Sequence, residues 1–317
     1  MPADTTAIDP APGPASGPAS GPASGPAAKP AGGRAGRRQA DGSSGGRSGG
    51  SAGSIAPPVR LGRPRFQQLR VIAALVLRGM GTRNSRSAGG YLWAVLQPLG
   101  TTLLLALVFS LMLRAPPLGN SFILFYATGT IPFRHYGSMA NGVAGAINAN
   151  RGLLAYPVVS ALDAVFAQMV LVFMTDFFVG VMIVVGVAVF TDADMSIDPA
   201  PAALAFILAS LMGLGVGSVN AVLFGFFPTW KNVWAVFSRP LFLMSGILYL
   251  YDSVPTALQQ FLWWNPLIHV TGLMRSGFFG GYDADYASPL YVLGIAGTLF
   301  LVGGWLMRRH ASFLIEQ

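Results

Sequence analysis

The 317-residue chain contains no cysteine, so disulfides, thiolate metal sites and thiol catalysis are excluded. Charge is scarce: Asp, Glu, Lys and Arg make up 10% of the residues, against about 25% in ordinary soluble domains. The three histidines, His135, His269 and His310, are too widely separated to suggest a metal site. No G-x-x-x-x-G-K-[ST] loop occurs, which excludes ATP binding by that route, and neither an H-E-x-x-H nor an EF-hand pattern is present. The N-terminal segment has no apolar core ahead of a small-residue cleavage site, so it does not read as a cleaved secretory signal. These absences leave a chain with no visible engine of its own.

What the chain has in quantity is apolar sequence. Six stretches, at about 91–113, 121–142, 163–190, 203–227, 233–251 and 288–307, are long enough to cross a bilayer, where about 20 apolar helical residues span the ~30 Å hydrocarbon core. Lipid cannot satisfy backbone polar groups, so these stretches are expected to be helices, and the fold class is an all-α integral membrane protein. The second stretch is the weakest because it contains Arg134 and His135. Twelve of the 20 Lys and Arg precede residue 90. With six crossings, the loops after the second and fourth spans and the C-terminus share a side with this basic segment and carry Arg151, Lys231, Arg308 and Arg309. The opposite loops carry Asp192, Asp194, Asp198, Asp252, Asp283 and Asp285 against Arg114 and Arg275. Excess Lys and Arg mark the cytoplasmic side, so both termini are expected there. Tyr91 and Trp93 at one end of the first span, and Tyr249 and Tyr251 at the end of the fifth, look like headgroup-level aromatic belts.

Two regions precede the first span. Residues 1–60 repeat a GPAS unit and then run through Arg, Gly and Ser; this composition offers no apolar face to offset ordering entropy and reads as a disordered tail. It is either a plain linker or a basic arm for anionic headgroups through Arg34, Arg37, Arg38 and Arg47. Residues 61–317 form the membrane domain. Within its first part, Phe66, Leu69, Ile72, Ala73 and Val76 recur at helical spacing, with Arg70, Arg83 and Arg86 around them. That pattern suits a helix lying in the headgroup plane, weakened toward its end by Gly79 and Gly81. It serves as a passive anchor or as a gate for an anionic lipid-linked substrate.

Two loops are more than connectors. Residues 143–161 are cytoplasmic, fairly apolar and expected to be helical up to Tyr156, ahead of Pro157. Residues 252–287 are external and rich in aromatics; the stretches from Pro255 to Pro266 and from Leu267 to Phe279 are too short to cross and are expected to be two short helices dipping into the outer leaflet. Inside the third span stands Asp176, costly at the bilayer centre and therefore expected to face the bundle interior with a partner. Arg134 is the nearest candidate by topology. A structural pair, a proton relay and a substrate contact are all open for it. Asp163, at the edge of the same span, is expected to be interfacial.

Several strings together resemble the permease subunit of ABC-2 type exporters, most closely the branch that exports capsular polysaccharide in Gram-negative bacteria: RSAGGYLWAVLQPL, TGTIPF, AINANRGLLAYPVVSALD and WWNPLIHVTGLMRSGFFGGYDADYASPLYVLG. The resemblance covers about residues 66–315. It implies six spans, a dimer of permeases, two copies of a separate ATP-binding subunit, a lipid-linked polysaccharide substrate, periplasm-spanning export partners and the inner membrane as location, with no cofactor and no nucleic acid. The helix after span 2 corresponds to the family's coupling helix, here about Ala146–Pro157, with Asn150, Arg151, Leu154 and Tyr156 as contacts to the ATPase. The segment before span 1 corresponds to the gate helix, with Arg78, Arg83, Arg86 and Trp93 at the entry. Family members often carry an acid soon after the arginine of that helix; here Gly79 and Met80 follow Arg78, while Thr82 and Arg83 are kept. Trp230, Trp234, Phe237, Tyr249, Trp263 and Trp264, with Trp93 and Phe109, are candidates to line the polymer path or to pack the bundle and its belts. Export of O-antigen or teichoic-acid type polymers or of a hydrophobic small molecule is the alternative within this architecture, and an ion-coupled carrier the alternative outside it.

Overall fold

The computed structural model describes residues 67–84, 90–154 and 159–310, and among these it contains ten α-helices and no strand. In chain order they are α1 Gln67–Asn84, α2 Gly90–Met112, α3 Phe122–Ala149, α4 Arg151–Leu154, α5 Ala161–Phe190, α6 Pro199–Phe226, α7 Trp230–Met244, α8 Thr256–Trp263, α9 Pro266–Ser276 and α10 Pro289–Arg309. Four of them, α2, α5, α6 and α10, are long and apolar enough to cross a membrane. The tail and its basic residues lie outside the described residues.

Helix starts follow a repeated device. Asp198, Asn265 and Ser288 each cap a helix whose first residue is proline, and each side-chain oxygen accepts a backbone N–H of the first turn. Proline at that position loses nothing, because its missing N–H is one that the helix leaves unpaired anyway. Ser160 and Asp163 form a reciprocal capping box at the start of α5. Asp163, expected at the edge of this span, is a buried part of the cap.

The bundle is organised around α6. Two thirds (67%) of its apolar window is buried, against 17% for α2. Glycines bring its neighbours close. A Cβ on Gly213 would stand 2.6 Å from Met139 Cβ, and one on Gly217 would stand 2.7 Å from the Ala140 carbonyl, so α3 runs against one face of α6 nearly backbone to backbone. On another face, a Cβ on Gly215 would meet the Ala296 carbonyl at 2.6 Å, and one on Gly303 the Ser218 carbonyl carbon at 2.7 Å, which seats α10. Lipid offers no hydrophobic drive for helix association, so close van der Waals packing through small residues carries it. The outward faces remain apolar, as with Leu104, Leu107 and Leu111 on α2 and Phe178, Met182 and Val189 on α5.

At one end, three connections are hydrogen-bonded together. The Asn120 amide donates to the Asp192 carbonyl and to Asp194 Oδ2, and the Asp194 N–H donates back to it, each at 3.0 Å. The N–H groups of Ser196 and Asp198 donate to the carbonyls of Phe278 and Gly277. The loops after α2, α5 and α9 therefore share one face.

Several boundaries differ from expectation. α1 is continuous through Gly79; a Cβ there would stand 2.9 Å from Leu171 Cδ2, so the glycine gives close approach to α5 and does not break the helix. Its packed lane is Ile72, Leu75 and Gly79, whereas Leu69, placed on the predicted stripe, is 62% exposed together with Leu77 and Met80. α3 runs on to Ala149, absorbing the start of the expected cytoplasmic helix; after the non-helical Asn150 only the single turn α4 follows. The fifth apolar stretch is helical only to Met244. Ser245–Leu250 is non-helical, with Gly246 at φ +69°.

Candidate functional site: polar groups within the bundle

Asp176 on α5 meets His135 on α3, not Arg134. Its Oδ2 lies 3.1 Å from His135 Nδ1, and His135 Nε2 lies 2.7 Å from Ser210 Oγ on α6. The topology had drawn attention to the right turn of α3; the rotation of that helix decides which of two adjacent residues points at α5. His135 is buried and stacked on Phe206, ring centroids 3.9 Å apart. An ionised carboxylate only accepts, so Nδ1 carries hydrogen, and a neutral ring then accepts from the Ser210 hydroxyl. That hydroxyl also lies 2.8 Å from the Phe206 carbonyl, a second acceptor for its hydrogen. A cavity of about 260 Å³ opens beside the pair, with Arg134, His135, Asp176, Thr101, Pro98 and Phe242 in its wall.

A second polar group organises the segment after α7. Arg275 on α9 is 1% exposed and donates to the Ile247 carbonyl at 3.0 Å and the Tyr249 carbonyl at 2.9 Å. Its guanidinium lies 4.1 Å from the centroid of the Phe125 ring. Burial pulls Arg275 down to about 10, which leaves it charged at neutral pH. Non-helical backbone is tolerated in a bilayer only where protein buries and satisfies it; Arg275 supplies those donors. Beside it, His269 Nε2 lies 2.8 Å from the Trp263 carbonyl, and the Ser288 N–H donates to His269 Nδ1 at 3.3 Å, so the neutral ring links α9 to the cap of α10. Burial lowers the His269 pKa.

The predicted aromatics separate by burial. Trp93, Phe237 and Trp264 are exposed. Trp230 donates its ring N–H to Asn220 Oδ1, and Trp263 donates to the Tyr286 carbonyl while packing on His269 and Tyr291. Tyr249 is half-buried, its carbonyl held by Arg275, and Phe109 packs on Tyr126. Trp234 is half-buried on α7.

Near the other end, a cavity of about 410 Å³ is lined by Arg78 and Gly79 of α1, Asn150, and Gln168 and Leu171 of α5. It brings one predicted entry residue and one predicted coupling residue to the same place. Arg151 is half-buried, and its Nε is buried without an acceptor among the described residues. The side chains of Arg83 and Leu154, and the whole of Arg86 and Tyr156, lie outside the described residues.

Residues 70–279 match the family model described as ABC-2 type transporter, more than half of the chain. The chain belongs to the ABC-2 type transporter family. It is 30% identical over 260 residues to a polysialic acid transport protein, KpsM, of Escherichia coli, covering 81% of this chain and 100% of that one. It is 29% identical over 250 residues to the capsule polysaccharide export inner-membrane protein CtrC of Neisseria meningitidis, covering 79% and 94%. With BexB of Haemophilus influenzae, also named a capsule polysaccharide export inner-membrane protein, it shares 27% identity over 251 residues, covering 78% and 94%.

The match takes in most of α1 and all of α2 to α9, so the ABC-2 region includes the His135–Asp176 pair, Arg275 and His269. Sequence reasoning noted His135 only as a polar residue weakening the second stretch and Arg275 only as an external charge; the packing buries both. Arg239 carried a readable signal: it is a charge within the apolar stretch 233–251, and on α7 it is exposed.

Proposed function

We propose that the chain is the membrane-spanning subunit of an ATP-driven exporter that moves capsular polysaccharide across the bacterial inner membrane. The observation that carries this reading is the alignment, along nearly their whole lengths, of relatives named for capsule polysaccharide export and for polysialic acid transport, together with the match to the ABC-2 family. In this reading residues 61–317 cross six times, through α2, α3, α5, α6, α7 with its non-helical extension, and α10. Both termini are cytoplasmic, residues 1–60 are a tail, and α8 and α9 dip into the outer leaflet. Two copies enclose the path, and hydrolysis takes place on two copies of a separate ATP-binding subunit.

Asn150, Arg151, Leu154 and Tyr156 form the contact to that subunit. The unsatisfied buried Nε of Arg151 supports it, because an acceptor on a docked partner resolves the cost of a lone buried donor. ATP-driven closure moves this contact and shifts the spans as rigid bodies. Arg78, Arg83, Arg86 and Trp93 stand at the entry for a lipid-linked polymer, and the exposed Phe237 and Trp264 offer faces to sugar rings. Periplasm-spanning proteins receive the product.

The test is co-purification with the ATP-binding subunit, followed by ATP-dependent polymer movement in vesicles. Wild-type complex formation, lost in Arg151→Glu with Leu154→Asp while the permease stays folded, is the expected result. Absence of any complex with an ATP-binding subunit overturns the reading. The buried His135–Asp176 pair favours one other reading, a proton-coupled carrier. Full ATP-driven export by Asp176→Asn removes it.

A further inference from the structure

α5 and α6 follow one another in the chain, yet toward their shared end they stand apart, with a slot of about 400 Å³ between them. No charged or hydrogen-bonding side chain lines it. α5 contributes Phe177, Val181 and Val185, all exposed, and the buried Gly180, whose missing side chain deepens the slot toward Ile131 of α3. α6 contributes the exposed Ala203 and the buried Phe206. Met274 and Phe278, from α9 and the turn after it, close the end nearest the loops, where the Ser196 N–H donates to the Phe278 carbonyl.

Water does not suit such a space, because a buried water needs two to four polar partners. Left empty, the slot would strip its lining of van der Waals partners. Its mouth lies among outward-facing side chains of two helices that are long and apolar enough to cross a membrane. From Phe190, the end of α5, down to Phe177 is about 20 Å at 1.5 Å per residue, close to the ~15 Å depth of one leaflet. A helix of that length, 10–12 Å across, would need several times the volume, so the slot admits a single extended chain. At its outer edge Ile197 and Pro199 flank Asp198. Asp198 is exposed; its Oδ1 accepts the Ala200 N–H at 3.0 Å, and its Oδ2 has no partner among the described residues. The other charges of this connection, Asp192 and Asp194, are acidic too. The mouth therefore favours a headgroup that carries a cation over one of net negative charge.

We propose that the slot between α5 and α6 binds one acyl chain of a phosphatidylethanolamine, with the ammonium group of that lipid on Asp198. The lipid comes from the leaflet on that side, the outer one in the topology proposed above. The site needs neither the polymer nor the ATP-binding subunit. The acyl chain supplies the contacts that no side chain of α5 or α6 makes, and the ammonium group takes the carboxylate oxygen that the helix cap leaves over. The lipid is thus a structural ligand that joins α5, α6 and α9 where their own packing is incomplete.

The probes are phosphatidylethanolamine and phosphatidylglycerol with identical acyl chains, added in turn to the full-length protein in detergent. Retained lipid is read by native mass spectrometry. The wild type is expected to hold one phospholipid tightly and to favour the ethanolamine form about two- to fivefold, the scale of a solvent-exposed ion pair. Asp198→Asn keeps the cap, because asparagine caps as well as aspartate does, and should bring the two lipids close to equality. Ala203→Phe, at an exposed position in the wall, should fill the slot and lose the retained lipid. Ala188→Phe, exposed on α5 outside the slot, should retain it. Equal retention of both lipids by the wild type overturns the proposal, and so does an unchanged preference in Asp198→Asn. Equal lipid retention by the two phenylalanine variants overturns it as well. Loss of a dimer in Ala203→Phe with lipid retention intact would assign the slot to a second copy, against the proposal. Because binding is read on this chain alone, failure of the lipid site is separable from failure of the exporter reading.

Discussion

A Cβ at Gly217 would stand 2.7 Å from the Ala140 carbonyl oxygen, and backbone cannot step aside as a flexible side chain can. Gly217→Val should therefore push α3 from α6 and lower stability by about 1–3 kcal/mol, as overpacking does. Gly137→Ala, on a site with nothing within 4 Å, should melt like the wild type. Thermal unfolding of both in detergent checks this; equal melting of the two variants would mean that the helices are not held as closely as described. Arg275 poses the opposite problem, a charge that the interior needs. Arg275→Met should leave the carbonyls of Ile247 and Tyr249 buried without donors, at about 1–3 kcal/mol each. The chain has no cysteine, so Ser245→Cys, at a fully buried position, introduces a single reporter thiol. Its maleimide labelling should be slow with Arg275 in place and faster after Arg275→Met. An unchanged rate would release Arg275 from its role in holding this segment.

At the scale of elements, the link between α9 and α10 should respond to pH. Neutral His269 donates from Nε2 to Trp263 and accepts at Nδ1 from Ser288, the cap of α10. A proton on Nδ1 would set two donors face to face. Burial lowers the folded pKa below the ordinary 6.5, so the unfolded chain takes up the proton first. The stabilisation is present above about pH 6.5 and is lost as pH falls through the unfolded value toward the folded one. Melting temperature should thus fall from pH 7.5 to 5.5, and His269→Gln, which still offers a donor and an acceptor, should flatten that fall. An identical slope in both proteins would assign the acid sensitivity elsewhere. Element existence was largely legible in the sequence: apolar length announced α2, α5, α6 and α10, and the spacing of prolines announced α8 and α9. Element ends were less so. Nothing local says that α3 continues past residue 142, because its extension is held by packing of Val143, Ala146 and Ile147, which are buried. Nothing local ends α7 at Met244 either, since the segment beyond it depends on an arginine about 30 residues later. The site was legible as a list of costly residues but not as pairs; His135 and Arg134 differ by one position, and only tertiary rotation selects between them.

For the whole molecule, the number of crossings turns on α3 and α7, the two expected spans that their own length and composition do not qualify. Low hydropathy is no obstacle for α3. Its polar residues face protein, with His135 buried against Phe206 and Ser210, and its long contact with α6 carries it to the same depth as a helix that is apolar throughout. α7 is shorter, about 22 Å at 1.5 Å per residue, and completes a crossing only with the segment pinned by Arg275. Single-cysteine labelling separates the possibilities. With six crossings, the exposed Lys231 and Gly152 lie on the cytoplasmic side and the exposed Asp283 on the opposite one. With crossings by α2, α5, α6 and α10 alone, all three would lie outside. Asp283→Cys should therefore react with an impermeant maleimide in intact spheroplasts, while Lys231→Cys and Gly152→Cys should react only after the membrane is opened. Reaction of Lys231→Cys in intact spheroplasts would remove α3 from the membrane, and silence of Asp283→Cys with Lys231→Cys still protected would remove α7.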